Sequence, residues 1–180
     1  MKIVIDACVL FPTVLRELAL GLADSGTVTP LWSPRILEEW RRAALRRSER
    51  DGMIAEGEIA LLKVRYTEAS DEIAPATEAR LFLNDPAEVH VLAAAIDGAA
   101  DALMTLNLRD FPTNALRAQG ILRRDPDGGL LEAFHADEAA MHQIVSDVLG
   151  RAVEHGIDTS NPRALLKRAR VPRLGKAMFA

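Results

Sequence analysis

Apolar and polar positions along this chain follow two periods in turn. Residues 2–6 (KIVID) form a short β-branched run ending in an acid, which predicts a buried strand. Between residues 12 and 24, Val14, Leu15, Leu18 and Leu22 recur at helical spacing until Ser25-Gly26 stops them. Residues 28–32 predict a second strand. Ser33-Pro34 supplies an N-cap followed by proline at the first helical position, so a helix should run to about residue 48. Another covers roughly residues 53–66, while 68–83 carry no clear period. Asp85-Pro86-Ala87-Glu88 opens the next helix and Gly98 closes it. Residues 102–106 and 121–123 are strand-like, and the turn formers of 125–129 predict a linker. Met141, Ile144, Val145, Val148, Leu149, Ala152 and Val153 fall on one stripe of a later helix. His155-Gly156 ends that helix, and Asn161-Pro162 caps a short last one.

Strands separated by helices predict the α/β class, with right-handed crossovers and a central parallel sheet covered on both faces, a three-layer α/β/α arrangement. A domain over residues 1–125 would be followed by a helical C-terminal extension, 126–180, with a basic tail. In such folds ligands sit outside the carboxyl ends of the strands. Asp6 ends the first strand, the helices opening at Pro34 and Pro86 begin at that edge, and Asn107 and Asp110 follow the 102–106 strand. These polar groups should therefore converge.

At about 100° per residue, Ile36, Leu37, Trp40, Ala43 and Ala44 form one apolar stripe. Glu38 points away from it, whereas Glu39 flanks it at the boundary between core and cleft. Glu88 flanks the Val89, Leu92, Ala93 and Ile96 stripe in the same way, with Asp97 on the other flank and two to three turns away. A capping box accounts for Asp85 and Glu88 as readily as ligation does. Asp97 and Asp101 read as surface residues. Carboxylates gathered at one edge repel each other unless cations neutralise them. Oxygen donors without cysteine or paired histidines suit Mg²⁺ or Mn²⁺, and such a site hydrolyses phosphodiesters by acidifying a water and stabilising the leaving oxygen.

Composition narrows the alternatives. With 180 residues, 49% hydrophobic and 27% charged, the chain has the makings of one core. The longest apolar run, 91–96, is too short to cross a bilayer, and the start lacks a signal-peptide core, so the chain reads as cytoplasmic with no membrane partner. One cysteine, Cys8, excludes a disulfide framework, and it reads as a small core residue. His90, His135, His142 and His155 make no H-E-x-x-H, and no glycine-rich phosphate loop is present. The net charge of −4 excludes a globally basic binder but conceals two clusters. One is Arg41, Arg42, Arg46, Arg47 and Arg50; the other is Arg163, Lys167, Arg168, Arg170, Arg173 and Lys176, with no acid after residue 161.

Four segments in this order resemble the PIN-domain family, and within it the VapC-type toxins of toxin–antitoxin pairs. They are Ile5-Asp6-Ala7-Cys8-Val9-Leu10, residues 33–40 (SPRILEEW), residues 85–95 (DPAEVHVLAAA) and residues 104–112 (MTLNLRDFP). The resemblance implies a metal-dependent endoribonuclease using Mg²⁺ or Mn²⁺, a homodimer held neutral by a cognate protein antitoxin. Carried over by position, Asp6, Glu39 and Glu88 would hold the metal, the turn with Asn107 and Asp110 would complete the site, and Thr105 would orient a ligand or water. Two positions depart from the family pattern: 88 is glutamate and 107 asparagine where aspartate is usual. Asp85 would then share the duty of position 88. A catalytically weak module that binds RNA or protein is the rival these departures favour. The basic tail would neutralise RNA phosphates or dock an acidic antitoxin segment.

Overall fold

The computed structural model describes residues 1–69, 73–154 and 156–179. Its elements begin with β1 (Lys2–Ile5), α1 (Ala7–Leu10), α2 (Thr13–Asp24), β2 (Thr29–Leu31), α3 (Pro34–Arg47) and α4 (Glu49–Arg65). There follow α5 (Pro75–Ala79), a 3-10 turn (Pro86–Glu88), α6 (Val89–Asp97), β3 (Ala102–Met104), α7 (Thr113–Arg117) and β4 (Leu122–Arg124). Four helices complete the chain: α8 (Pro126–Ala136), α9 (Glu138–Glu154), α10 (Pro162–Arg168) and α11 (Pro172–Met178). The class is the expected three-layer α/β/α, a central parallel sheet flanked by helices, with further helices toward the C-terminus. The sheet runs β2-β1-β3-β4, and β1 pairs in parallel with both neighbours, Val4 opposite Leu31 on one side and Leu103 on the other. Ile3, Val4 and Ile5 are fully buried, as a central parallel strand requires. No helix among the described residues is long and apolar enough to cross a membrane.

The chain divides into two compact units. One comprises Met1–Phe11 and Thr29–Arg123, the other Pro12–Val28 and Arg124–Ala180. In the second unit α2 packs on α8 and α9. That packing depends on Gly21, where an added Cβ would run into Ile144 Cγ2. Asp127, only 6% exposed, accepts the Arg173 and Leu174 amides at 3.0–3.1 Å and the Arg173 guanidinium at 3.1 Å, so it fastens the start of α11 to α8.

Local chemistry explains both the agreements and the departures. Ser33 Oγ accepts the Ile36 amide at 3.2 Å, the cap expected of Ser33-Pro34. Ser48 does the same for Asp51, so α4 begins at Glu49, four residues ahead of the expected 53. The expected linker at 125–129 is instead the first turn of α8. Asp125 Oδ1 accepts the Gly128 amide at 2.9 Å and Pro126 follows at the first helical position; two glycines obscured a capping signal of the same kind as Ser33-Pro34. Val153 lies 57% exposed, off the stripe that buries Met141, Ile144, Val145, Val148 and Ala152. Of the expected stop after α9, His155 lies outside the described residues, while Gly156 has a φ of +73°. Residues 70–72 of the stretch without a clear period are likewise outside them.

Candidate metal centre

Every candidate site residue belongs to the first unit. Asp6 leaves β1 with its amide still paired to Met104 O at 3.1 Å, then begins α1 as N-cap without using its side chain for capping. That side chain is 4% exposed and turns toward the end of β3. Its Oδ2 accepts the Thr105 hydroxyl at 2.6 Å and the Cys8 thiol at 3.0 Å. Thr105 Oγ1 in turn accepts the Asn107 amide at 2.9 Å, and Cys8 Sγ accepts the Leu106 amide at 3.2 Å. Such chains polarise one another and hold the carboxylate in one orientation. Oδ1 receives no hydrogen bond among the described residues. Burial, then the Asp6 charge, pushes the Cys8 thiol up to about 12, so it acts here as a positioning donor and not as a nucleophile.

Glu88 ends the 3-10 turn, half-buried. Asp85 caps that turn, accepting the Ala87 amide at 2.9 Å, but Glu88 does not reach back to complete a capping box. Its Oε1 accepts Asn107 Nδ2 at 3.1 Å instead. The two positions that depart from the family pattern thus touch each other, the longer acid meeting the amide. Burial raises the Glu88 carboxyl to about 7, helped by the negative charges of Asp6 and Glu39 and opposed by the Asn107 bond and by His90.

Glu39 stands on α3 38% exposed, its Oε1 2.8 Å from His90 Nε2 and 3.7 Å from Arg35 Nε. The His90 approach is an ion pair by distance only. Neither ring nitrogen makes a well-aligned hydrogen bond among the described residues, although the ring is 1% exposed. Glu38 points the other way, as expected, and bonds to Arg41 and Arg42 draw its carboxyl down to about 2. Asp97 holds the Ala74 amide and the Thr77 hydroxyl, both at 2.7 Å, and Asp101 holds the Lys2 amide.

Asp110 lies on the turn after β3, which Arg123 fastens by donating to Leu108 O and Phe111 O at 2.8 and 2.9 Å. One carboxylate oxygen each from Asp85, Glu88 and Asp110 lie within 4.8 Å of one another, the one such group among the described residues. Asp6 and Glu39 stand outside that group but near enough for their charges to act on Glu88. The donors are all oxygen, and a half-buried acid raised to about 7 by desolvation and by the charges of Asp6 and Glu39 is relieved by a cation; the residues present fit a hard divalent ion.

His90 is the site residue that stripe arithmetic did not find. Helix α6 buries His90, Val91, Leu92, Ala93, Ala94 and Ala95, nearly its whole circumference, so no single stripe marks the inward face. The available signal was a histidine two residues after a candidate ligand.

A family model described as PIN domain matches residues 2–109. No curated protein and no solved structure matches the chain.

Proposed function

This chain belongs to the PIN-domain family, whose fold is nuclease-like, and on that basis we propose that it is a metal-dependent endoribonuclease, the VapC-type toxin of a toxin–antitoxin pair. The observation that carries this reading is the meeting of Asp85, Glu88 and Asp110 oxygens within 4.8 Å, beside Asp6 and Glu39. Asp6, Glu39, Asp85, Glu88, Asn107 and Asp110 would hold Mg²⁺ or Mn²⁺. When bound, such an ion supplies an acidified water and positive charge against the leaving oxygen of the phosphodiester.

The chain's own groups do the rest. Thr105 and Cys8 fix Asp6 through Oδ2 and leave Oδ1 for a ligand. Asn107 keeps Glu88 at the site, and Glu88 releases its proton when a cation arrives, so binding tightens as pH rises through about 7. Residues 1–125 carry the nuclease and 126–180 its helical extension; the active form is a homodimer, neutralised by a cognate antitoxin.

RNA cleavage by purified protein with Mn²⁺, beside EDTA and Asp6→Asn controls, tests the reading. Cutting should vanish in both controls. Cutting that survives Asp6→Asn belongs to another site or a contaminant. In cells, the chain expressed alone should arrest growth and Asp6→Asn should relieve the arrest. The Asn107–Glu88 bond favours a second reading, a catalytically weak RNA- or protein-binding module, because it occupies an acid with an amide. Absence of thermal stabilisation by millimolar Mn²⁺ would count heavily against the nuclease and move the reading to that alternative.

A further inference from the structure

The segment from residue 161 onward, with six cations and no acid, carries a charge excess that the acidic site does not use. Several cations elsewhere face carboxylates: Arg41 and Arg42 share Glu38, Arg47 approaches Asp51, and Arg151 meets Glu17. Within the tail, Arg173 is held on Asp125 and Asp127. Arg163, Lys167 and Lys176 have no ion pair or hydrogen bond among the described residues, and their shared position is what sets them apart. All three line one concave pocket, together with Asn161, Ala164 and Pro172.

The frame of this pocket is built. Arg163 and Lys167 stand at i and i+4, on one face of α10. Lys176 comes from α11, whose Gly175 lies so close to α10 that an added Cβ would sit 3.1 Å from Leu166 Cβ and 3.4 Å from Arg163 O. The Val171 amide closes the intervening turn on Leu166 O at 3.0 Å, and Leu166 and Leu174 are fully buried beneath it. Three cations kept together in a concavity repel one another, and an anion entering it removes that repulsion.

The lining selects the anion. An acidic protein segment anchors through aromatic or large apolar side chains as well as through charge. This pocket offers only Ala164 and Pro172. A sugar–phosphate backbone needs cations and little else. We propose that Arg163, Lys167 and Lys176 form a phosphate-binding subsite for the backbone of the RNA substrate, a reading that rests on the ribonuclease function proposed above.

The test is binding of a fluorescein-labelled single-stranded RNA to the full chain in EDTA, followed by anisotropy at several salt concentrations. Arg163→Ala/Lys167→Ala/Lys176→Ala should flatten the slope of log K against log salt by about 2, roughly 0.7 for each phosphate no longer neutralised, and weaken binding at least tenfold at about 0.1 M salt. A variant of equal charge change in the first unit, Arg46→Ala/Lys63→Ala/Arg80→Ala, should leave the slope unchanged. Melting curves confirm that both variants fold. No RNA binding by the parent chain, an unchanged slope in the pocket variant, or an equal loss in the control overturns the subsite. So does retained RNA binding with lost binding of poly-glutamate, which assigns the pocket to an acidic protein partner. Because EDTA removes catalysis, failure of the nuclease reading shows separately, as a chain that binds RNA through the pocket yet never cuts it with Mn²⁺.

Discussion

Thr105 and Asp6, 99 positions apart in the chain, meet through a 2.6 Å hydrogen bond in which the threonine hydroxyl donates to Oδ2. The same hydroxyl accepts the Asn107 amide, so one small side chain sets both the first acid and the turn after β3. Thr105→Val should therefore reduce Mn²⁺ affinity or cleavage by roughly ten- to a hundred-fold, the usual loss when a ligand's supporting partner is removed. Thr105→Ser should restore most of it. Calorimetric Mn²⁺ titration and initial cleavage rates read the result; a valine variant with parental affinity and rate would dismiss the positioning role.

Glu88 makes the metal-free fold sensitive to pH. Its carboxyl lies near 7 in the folded chain against an ordinary 4.5, so between those values the folded state holds a proton that the unfolded state has lost. Its contribution is thus fully present below about 4.5 and falls away as pH rises to about 7. Glu88→Gln, which cannot ionise, should melt with the parent at about pH 4.5 and above it at about pH 8, both in EDTA. Adding Mn²⁺ at the higher pH should raise the parent's Tm and leave the variant's nearly unmoved. Parallel melting curves across the pH range would contradict this.

Glu39 lifts Glu88 by its charge alone. Glu39→Gln should bring the Glu88 carboxyl down toward the ordinary range, a shift that carboxyl NMR titration follows directly. Should Glu88 titrate as before, the two acids do not share a field.

Gly21 fixes the seat of α2 on α9. Gly21→Ala gains helix propensity, about 1 kcal/mol, but its methyl meets Ile144 Cγ2 on a stiff β-branched side chain, where overpacking costs about 1–3 kcal/mol. A net loss in urea unfolding is expected. Combined with Ile144→Ala, which removes the opposing methyl, the substitution should become neutral or favourable. Strict additivity of the two changes would show that they do not touch.

Much of this architecture was readable from local rules. Ser33-Pro34, the 2–6 run and Gly98 each act within a few residues, and the elements they imply are present. The convergence of acids followed from one topological rule. The pairings were not readable, because they join distant positions: Asp6 with Thr105, Asn107 with Glu88, Glu39 with His90. Asp85-Pro86-Ala87-Glu88 illustrates the limit. Its sequence reads as a capping box, and the cap is real, but tertiary contact with Asn107 takes the glutamate away from it. Asp125 shows the converse, a true cap hidden by following glycines.

Helix α2 lies among the first elements of the chain, yet its buried face, with Leu15, Leu18 and Leu22, is matched by α8 and α9. During synthesis it emerges about a hundred residues before them, which at some 5–20 residues per second is a delay of roughly 5–20 seconds. For that interval an apolar helix stands uncovered on the nascent chain. Maturation of this protein thus waits on its C-terminal half, and a ribosome stalled short of α8 holds a segment suited to chaperone capture.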